Sequence, residues 1–225
     1  EAVAKSAPDG YTLMVTANTF AITPALSKSL PFDPVRDFTP ITQMAIGTLA
    51  LAVHPSLPVD SVAALVKLAK ARPGQLNYAS PGNGTPQHLA AELFKLVTDI
   101  QMVHVPYKGG GPGLIDVVGG QVEAYFSGAP AVMGYIKTGK LKAIAVTSRT
   151  RTSSLPDVPT IVEQGFPDYG DVTGFYGFLG PAGLSPAIVG RLNAEINKIL
   201  ALPDTKERYT SMGLDTAGTT PEQFA

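Results

Sequence analysis

The stretch Tyr78-Ala79-Ser80-Pro81-Gly82-Asn83-Gly84-Thr85-Pro86-Gln87-His88 reads as a strand end, a glycine turn and the opening of a helix. Residues 77–80 supply the strand. Gly82-Asn83-Gly84 is a tight turn whose glycines admit positive φ. Thr85 is placed as the N-cap, with Pro86 at the first helical position, where a missing N–H costs nothing. Such a junction aims backbone N–H groups and the positive end of a helix dipole at solvent, which suits an anion. A carboxylate or phosphate fits there without any lysine or arginine. Taken alone, the same residues also describe an ordinary strand-to-helix turn of an α/β protein.

Working outward, strands and helices alternate on both sides, which argues for a mainly parallel sheet. Asp60 is expected to cap a helix with an apolar face of Val62, Leu65, Val66 and Ala69, ended by Pro73-Gly74. The helix after Thr85 carries Leu89, Leu93, Leu96 and Val97 on one side. Residues 102–107 form the next strand, followed by Lys108-Gly109-Gly110-Gly111-Pro112-Gly113 and a helix over 114–118 closed by Gly119-Gly120. Then come a strand at 122–126, a helix at 130–137 ended by Gly139, and a strand at 141–147. Residues 185–200 make the longest helix, capped by Ser185-Pro186, with a stripe of Ile188, Leu192, Ile196 and Ile199.

Two segments fit no single doubly wound sheet. Residues 38–53 are an apolar β-prone run too long for one typical strand, and 148–169 are polar and broken by prolines. Both are candidate crossings between lobes. A βαβαβαβ unit over about 57–147 would then be an inserted domain. The organisation expected is a discontinuous first lobe, 1–50 with 150–225, and a second lobe, 51–149. Two lobes joined by two crossings make a cleft, and such sheets bind ligands at strand carboxyl ends.

Composition removes several function classes. The 225 residues suffice for a sizeable core. A net charge of −1 offers no basic field for nucleic acid or anionic membrane. With no cysteine there is no disulfide, thiolate metal site or Cys nucleophile in this chain. No run of eighteen apolar residues occurs. Both ends look cut: residues 1–6 read as the last turns of a helix before the turn Pro8-Asp9-Gly10 and a strand at 11–16, and Thr220-Pro221-Glu222-Gln223 is a capping box for a helix that has barely begun. An internal portion of a longer polypeptide is expected.

In order along the chain come Pro8-Asp9-Gly10-Tyr11-Thr12-Leu13, Phe32-Asp33-Pro34 and Asp37-Phe38-Thr39-Pro40-Ile41. The 78–85 stretch follows, with His88-Leu89-Ala90-Ala91-Glu92-Leu93-Phe94, Val105-Pro106-Tyr107-Lys108-Gly109 and Gly119-Gly120-Gln121-Val122. Last are Leu155-Pro156-Asp157-Val158-Pro159-Thr160 and Gly177-Phe178-Leu179-Gly180-Pro181-Ala182-Gly183. Across essentially its whole length the chain resembles the periplasmic solute-binding proteins of tripartite tricarboxylate transporters, the Bug or TctC family. The resemblance implies an α/β, two-lobed type II periplasmic binding protein fold with a ligand cleft between lobes. It implies a small organic acid ligand, the membrane components of a tripartite transporter as partners, a periplasmic location and a signal peptide in the precursor. A monomer is expected, with no cofactor and no nucleic acid. It also implies a glycine-rich, first-lobe carboxylate loop upstream of Glu1. Where the family more often carries tryptophan and phenylalanine, this chain has Phe175-Tyr176, and it has no tryptophan at all.

The expected ligand contacts follow successive strands, so a parallel sheet would set them on one edge. They are Asn18 and Thr19 after the first strand, then Ser80, Gly82, Asn83, Gly84 and Thr85, then Tyr107, Gly109 and Gly110, and finally Ser127. Tyr107 reads equally well as a packed aromatic, and Asn18 as a turn residue. His88, at the third helical position, is expected to brace the loop from behind. His54 and His104 lack ligands at metal spacing, so no metal site is expected.

Enzyme readings fare worse. No Gly-x-Ser-x-Gly elbow surrounds any serine. Gly134 to Lys140 has the spacing of a phosphate loop, but Leu141 stands where Ser or Thr is required. Gln87 replaces the third glycine of a dinucleotide fingerprint, and no carboxylate pair is placed for acid–base work. The expectation is a solute-binding protein that clamps a carboxylate-bearing metabolite by lobe closure for a tripartite tricarboxylate-type transporter. The alternative is an extracytoplasmic sensor or scavenger domain that signals the bound acid.

Overall fold

A computed structural model describes residues 1–27 and 29–225. Its strands and helices run β1 (Met14–Ala17), α1 (Thr19–Leu26), β2 (Phe38–Val53), α2 (Val62–Ala71), β3 (Asn77–Ser80), α3 (Pro86–Thr98), β4 (Val103–Pro106), α4 (Gly110–Val118), β5 (Ala124–Gly128), α5 (Ala129–Lys137), β6 (Lys142–Val146), β7 (Thr173–Pro181), α6 (Pro186–Ala201), α7 (Pro203–Ser211), β8 (Leu214–Thr216) and α8 (Pro221–Phe224). The chain divides into two compact units, Glu1–Gly47 with Gly174–Ala225, and Thr48–Thr173. The 38–53 run, expected to be too long for one strand, is the single strand β2, and the unit boundary falls inside it.

The second unit holds the glycine turn. Strands β3, β4 and β5 are mutually parallel, with Tyr78 opposite His104 and Ala79 opposite Tyr125. The sheet is not purely parallel, because β2 runs antiparallel to both β5 and β6. Alternation along the strands separates two apolar layers. Leu49, Leu51, Val53, Tyr78, Ala124 and Phe126 face one side with Val62, Leu65 and Phe94 from α2 and α3. Ala50, Ala52, Ala79 and Tyr125 face the other with Leu114, Val117 and Val132 from α4 and α5. Burying each large side chain contributes roughly 1.5–3 kcal/mol.

Several sequence expectations shift within this unit. The N-cap of α2 is Ser61, not Asp60: Ser61 Oγ accepts the Ala64 N–H at 3.3 Å. The buried side of α3 is Ala90, Ala91, Phe94 and Thr98, whereas Leu89 and Leu96 are exposed. Small residues let this helix lie close to the sheet; Leu93 and Val97 of the predicted stripe pack against the core, and Leu89 and Leu96 turn outward. Helix α4 starts at Gly110 rather than 114, because its glycines sit in the first turn. Residues 148–173, read as a crossing and assigned beyond 150 to the first lobe, belong to the second unit. They are anchored there by a bridge from Thr160 to Val146 and by the buried Leu155, Ile161 and Tyr169.

In the first unit β7 lies between β1 and β2, and β8 pairs with β2. Met14 is opposite Leu179 and Ala45 opposite Thr216. Phe20, Phe32 and Phe38 form an aromatic cluster with centroids 5.0–6.2 Å apart. Of the predicted stripe on α6, Ile188, Leu192 and Ile196 are half-buried, while Ile199 is exposed and Leu200 is buried instead. The N-terminal residues form only a 3-10 turn, Val3–Lys5, and the first strand begins at Met14, not Tyr11. Asn193 Nδ2 bonds both Ile41 O and Thr219 O at 2.8 Å, tying α6 to β2 and to the segment before α8. The predicted capping box on α8 forms, with Thr220 and Gln223 bonded in both directions.

Candidate functional site

Three parallel strands of the second unit end on one sheet edge, and each is followed by a helix. Ser80 leads through the glycine turn to α3, Pro106 through Tyr107–Gly109 to α4, and Gly128 directly into α5. Thr85 caps α3 as its sequence requires: φ is −72°, ψ is 155°, and its Oγ1 accepts the His88 N–H at 3.4 Å. Gly82 and Gly84 adopt φ of +138° and +73°, which only glycine enters without strain. Gly109, at φ +103°, stands at the N-cap position of α4 with no side chain to cap it.

The first two loops are bonded into one body. Tyr107 N–H donates to Ser80 O and Gly109 N–H to Pro81 O, both at 3.0 Å. Within the turn, Thr85 Oγ1 donates to Gly82 O at 2.8 Å, and Gly82 N–H donates to Ser80 Oγ at 3.1 Å. Gly84 N–H donates to His88 Nδ1 at 3.2 Å. Tyr107 O–H donates to Asp116 at 2.6 Å, and Tyr125 O–H to Gly110 O at 3.2 Å. Burial and the Asp116 bond push the Tyr107 hydroxyl up to about 12.

The predicted contacts therefore separate by role. Ser80 and Ser127 are buried, and the hydroxyls of Ser80, Thr85 and Tyr107 are engaged within the loops. Asn83 is exposed at the tip of the turn. Gln87 on α3, with Gly110 and Gly111 on α4, belongs to the first-turn N–H groups that a helix leaves without an internal acceptor. The chemistry that this edge presents includes backbone donors at helix N-termini, with the exposed Lys108 in the second loop. His88 meets the turn through the bond that its Nδ1 accepts from Gly84 N–H.

In the first unit, Asn18 stands at the N-cap position of α1 without capping it. Its Oδ1 instead accepts the Phe175 N–H at 2.6 Å, pinning the turn after β1 to β7. Thr19 is exposed at the first helical position.

Sequence reasoning missed a second layer behind the turn. His104 Nε2 meets Ser80 Oγ at 2.6 Å, and its ring stacks on Tyr78 and His88 with centroids 4.9 and 4.2 Å away. Tyr78 O–H bonds Glu92, which also takes Lys95 Nζ at 2.7 Å. Burial opposes the Glu92 charge, but the bonds from Lys95 and Tyr78 prevail and hold its carboxyl below the usual range. The Tyr78 hydroxyl is driven far up by burial and by Glu92. The parallel register of β3 with β4 carries this cluster, and no local motif signals it. Among the described residues, no three of His, Cys, Asp or Glu gather as a metal site, and no helix is long and apolar enough to cross a membrane.

A family model described as "Tripartite tricarboxylate transporter family receptor" matches residues 1–225. Protein BugT of Bordetella pertussis is 36% identical over 225 residues, covering 99% of this chain and 69% of BugT. Among solved structures, R. palustris Rpa4515 with adipate superposes with a TM-score of 0.87 at 33% identity, over 99% of this chain and 74% of that one. MatC (Rpa3494) from Rhodopseudomonas palustris with bound malate gives 0.79 at 30% identity, over 100% of this chain and 76% of that one. The chain thus spans about two thirds of that curated relative and three quarters of those structures. The matching family is described as one of receptors, and these structures share the mixed α/β fold.

Proposed function

The chain belongs to the tripartite tricarboxylate transporter receptor family, and on that premise we propose that it captures a small organic acid in the periplasm for the membrane components of such a transporter. It does so as a monomer, with one carboxylate of the acid held on the joined loops 80–85 and 107–110. The observation that carries this reading is the convergence of the N-termini of α3 and α4 on one sheet edge, with their loops bonded together at 3.0 Å. A carboxylate set there takes charge-assisted bonds from backbone N–H groups, each contributing roughly 1.5–3 kcal/mol. The glycines let the anion approach the main chain closely. Adipate and malate, seen on two neighbours, make dicarboxylates the first acids to try.

The experiment is calorimetry of adipate and malate against the protein and against Gly84→Val. Gly84 has φ +73°, so a β-branched residue distorts the turn. At least one acid is expected to bind, and the variant to bind it much more weakly while staying folded by circular dichroism. Unchanged affinity in a folded Gly84→Val variant would remove this loop from the site.

A further inference from the structure

The turn is braced from behind by two imidazoles that come from different elements. His88, in the first turn of α3, accepts the Gly84 N–H at Nδ1 (3.2 Å). His104, on β4, meets Ser80 Oγ through Nε2 at 2.6 Å, and Ser80 Oγ in turn accepts the Gly82 N–H at 3.1 Å. The two rings stack, with centroids 4.2 Å apart and planes inclined by 26°. The titratable and charged groups facing the pair are Tyr78 on β3 with Glu92 and Lys95 on α3. Glu92 is bonded to Lys95 and Tyr78, and its charge also acts on both imidazoles, raising His104 against the effect of burial.

We propose that His88 and His104 are positioning residues that hold the 80–85 turn in its binding form while neutral, so that ligand capture is proton-linked and weakens on acidification. The inference rests on the carboxylate reading of this turn. Accepting the Gly84 N–H requires a lone pair on His88 Nδ1, hence a neutral ring with its hydrogen on Nε2. A proton at Nδ1 turns that acceptor into a donor and sets two N–H groups against each other. Ser80 Oγ, by contrast, can accept from or donate to His104 Nε2, and tolerates either form of that ring. The protonation that disturbs the turn is therefore the one at His88 Nδ1. His104 contributes through charge, because a proton on one stacked ring opposes a proton on the other. Burial first, and then the neighbouring His88, hold His104 below the usual imidazole range. The binding form is thus the one with His88 neutral, and it is lost when Nδ1 takes a proton.

The test is calorimetry with adipate and malate between about pH 8 and about pH 6, where imidazoles titrate. Loss of one hydrogen bond predicts affinity about three- to tenfold weaker at the acid end. His88→Asn, whose amide offers an uncharged acceptor, is expected to flatten the profile whatever its own affinity. A flat wild-type profile, a rise in affinity on acidification, or an equally steep His88→Asn profile overturns the proposal. Nitrogen NMR of the ligand-free protein supplies a readout independent of the acid. His88 Nδ1 is expected to be unprotonated at about pH 8, and the Gly84 amide to shift together with the His88 titration. A protonated Nδ1 there, or a Gly84 amide indifferent to His88, also overturns it. If neither acid binds while the NMR behaves as expected, adipate and malate are rejected as ligands of this turn and the proton-linked brace stands.

Discussion

Substituting Gly82 by alanine tests whether the two loops are one body. Gly82 has φ +138°, and a Cβ there would lie 3.3 Å from the Tyr107 carbonyl oxygen. That oxygen is backbone, and its residue is fixed by the Tyr107 N–H to Ser80 O bond at 3.0 Å, so it yields only if both loops move. Holding a non-glycine residue in such a φ region costs about 1–3 kcal/mol. Reduced freedom of the unfolded chain returns about 0.4–1 kcal/mol. Gly139 is the control: its φ is +69°, and a Cβ there meets nothing within 4 Å. Gly139→Ala has the same unfolded-state gain without the contact, and its φ lies in the left-handed region that a non-glycine residue enters at smaller cost. We expect Gly82→Ala to lose about 2–3 kcal/mol and Gly139→Ala about 1 kcal/mol or less. At roughly 2–4 °C per kcal/mol, the first corresponds to a Tm drop of about 5–10 °C. Urea denaturation followed by far-UV circular dichroism is the assay, since the chain has no tryptophan. Equal losses in the two variants would refute the contact with Tyr107 as the reason for glycine at position 82.

Tyr107→Phe removes the bond to Asp116 at 2.6 Å and should cost about 1–2 kcal/mol in the same assay. Asp116→Asn should bring the Tyr107 hydroxyl down from about 12, read by alkaline tyrosine absorbance; an unmoved titration would count against that pairing. Lys142→Met strips Nζ from Leu57 O at 3.1 Å and Val59 O at 2.6 Å, and is expected to destabilise the protein by about 1–3 kcal/mol, with wild-type stability refuting the clamp. The folded-state value of Glu92 is lowered, so its contribution is present above the ordinary value of 4.5 and disappears as the pH falls through the folded value. Glu92→Gln should therefore show a smaller drop in urea midpoint on acidification than the wild type, and an identical drop would contradict the assignment.

Much of what depends on a few neighbouring residues was legible in the sequence, although Ser61 rather than Asp60 caps α2. The N-caps Thr85 and Ser185, the capping box at Thr220 and the glycine turn all have the geometry that their residue types demand. What depends on tertiary register was not. The stripe Leu89, Leu93, Leu96 and Val97 of α3 suggested the core face, yet Leu96 is 78% exposed, and Leu93 and Val97 only flank the buried Ala90, Ala91 and Phe94. Residues 148–169 look like a linker by composition, yet Ile161 and Tyr169 are core residues because the segment folds back beside β6. His104 offered no motif. It becomes part of the loop support only because β4 pairs with β3 so that His104 lies opposite Tyr78.

The division of labour inside the turn bears on how such a site handles different acids. The side chains nearest the edge hold the loops: Ser80 and Thr85 bond Gly82, Tyr107 bonds Asp116 and His88 takes Gly84. On the proposed reading, what remains for the ligand is main chain. Backbone N–H groups recognise a carboxylate by charge and geometry, and they are the same for every acid that carries one. A loop of this kind fixes one end of the ligand and leaves chain length and substituents to be sorted elsewhere. Substitutions that alter ligand choice therefore need not touch the turn, whereas those that reach its glycines or their braces act on every acid alike.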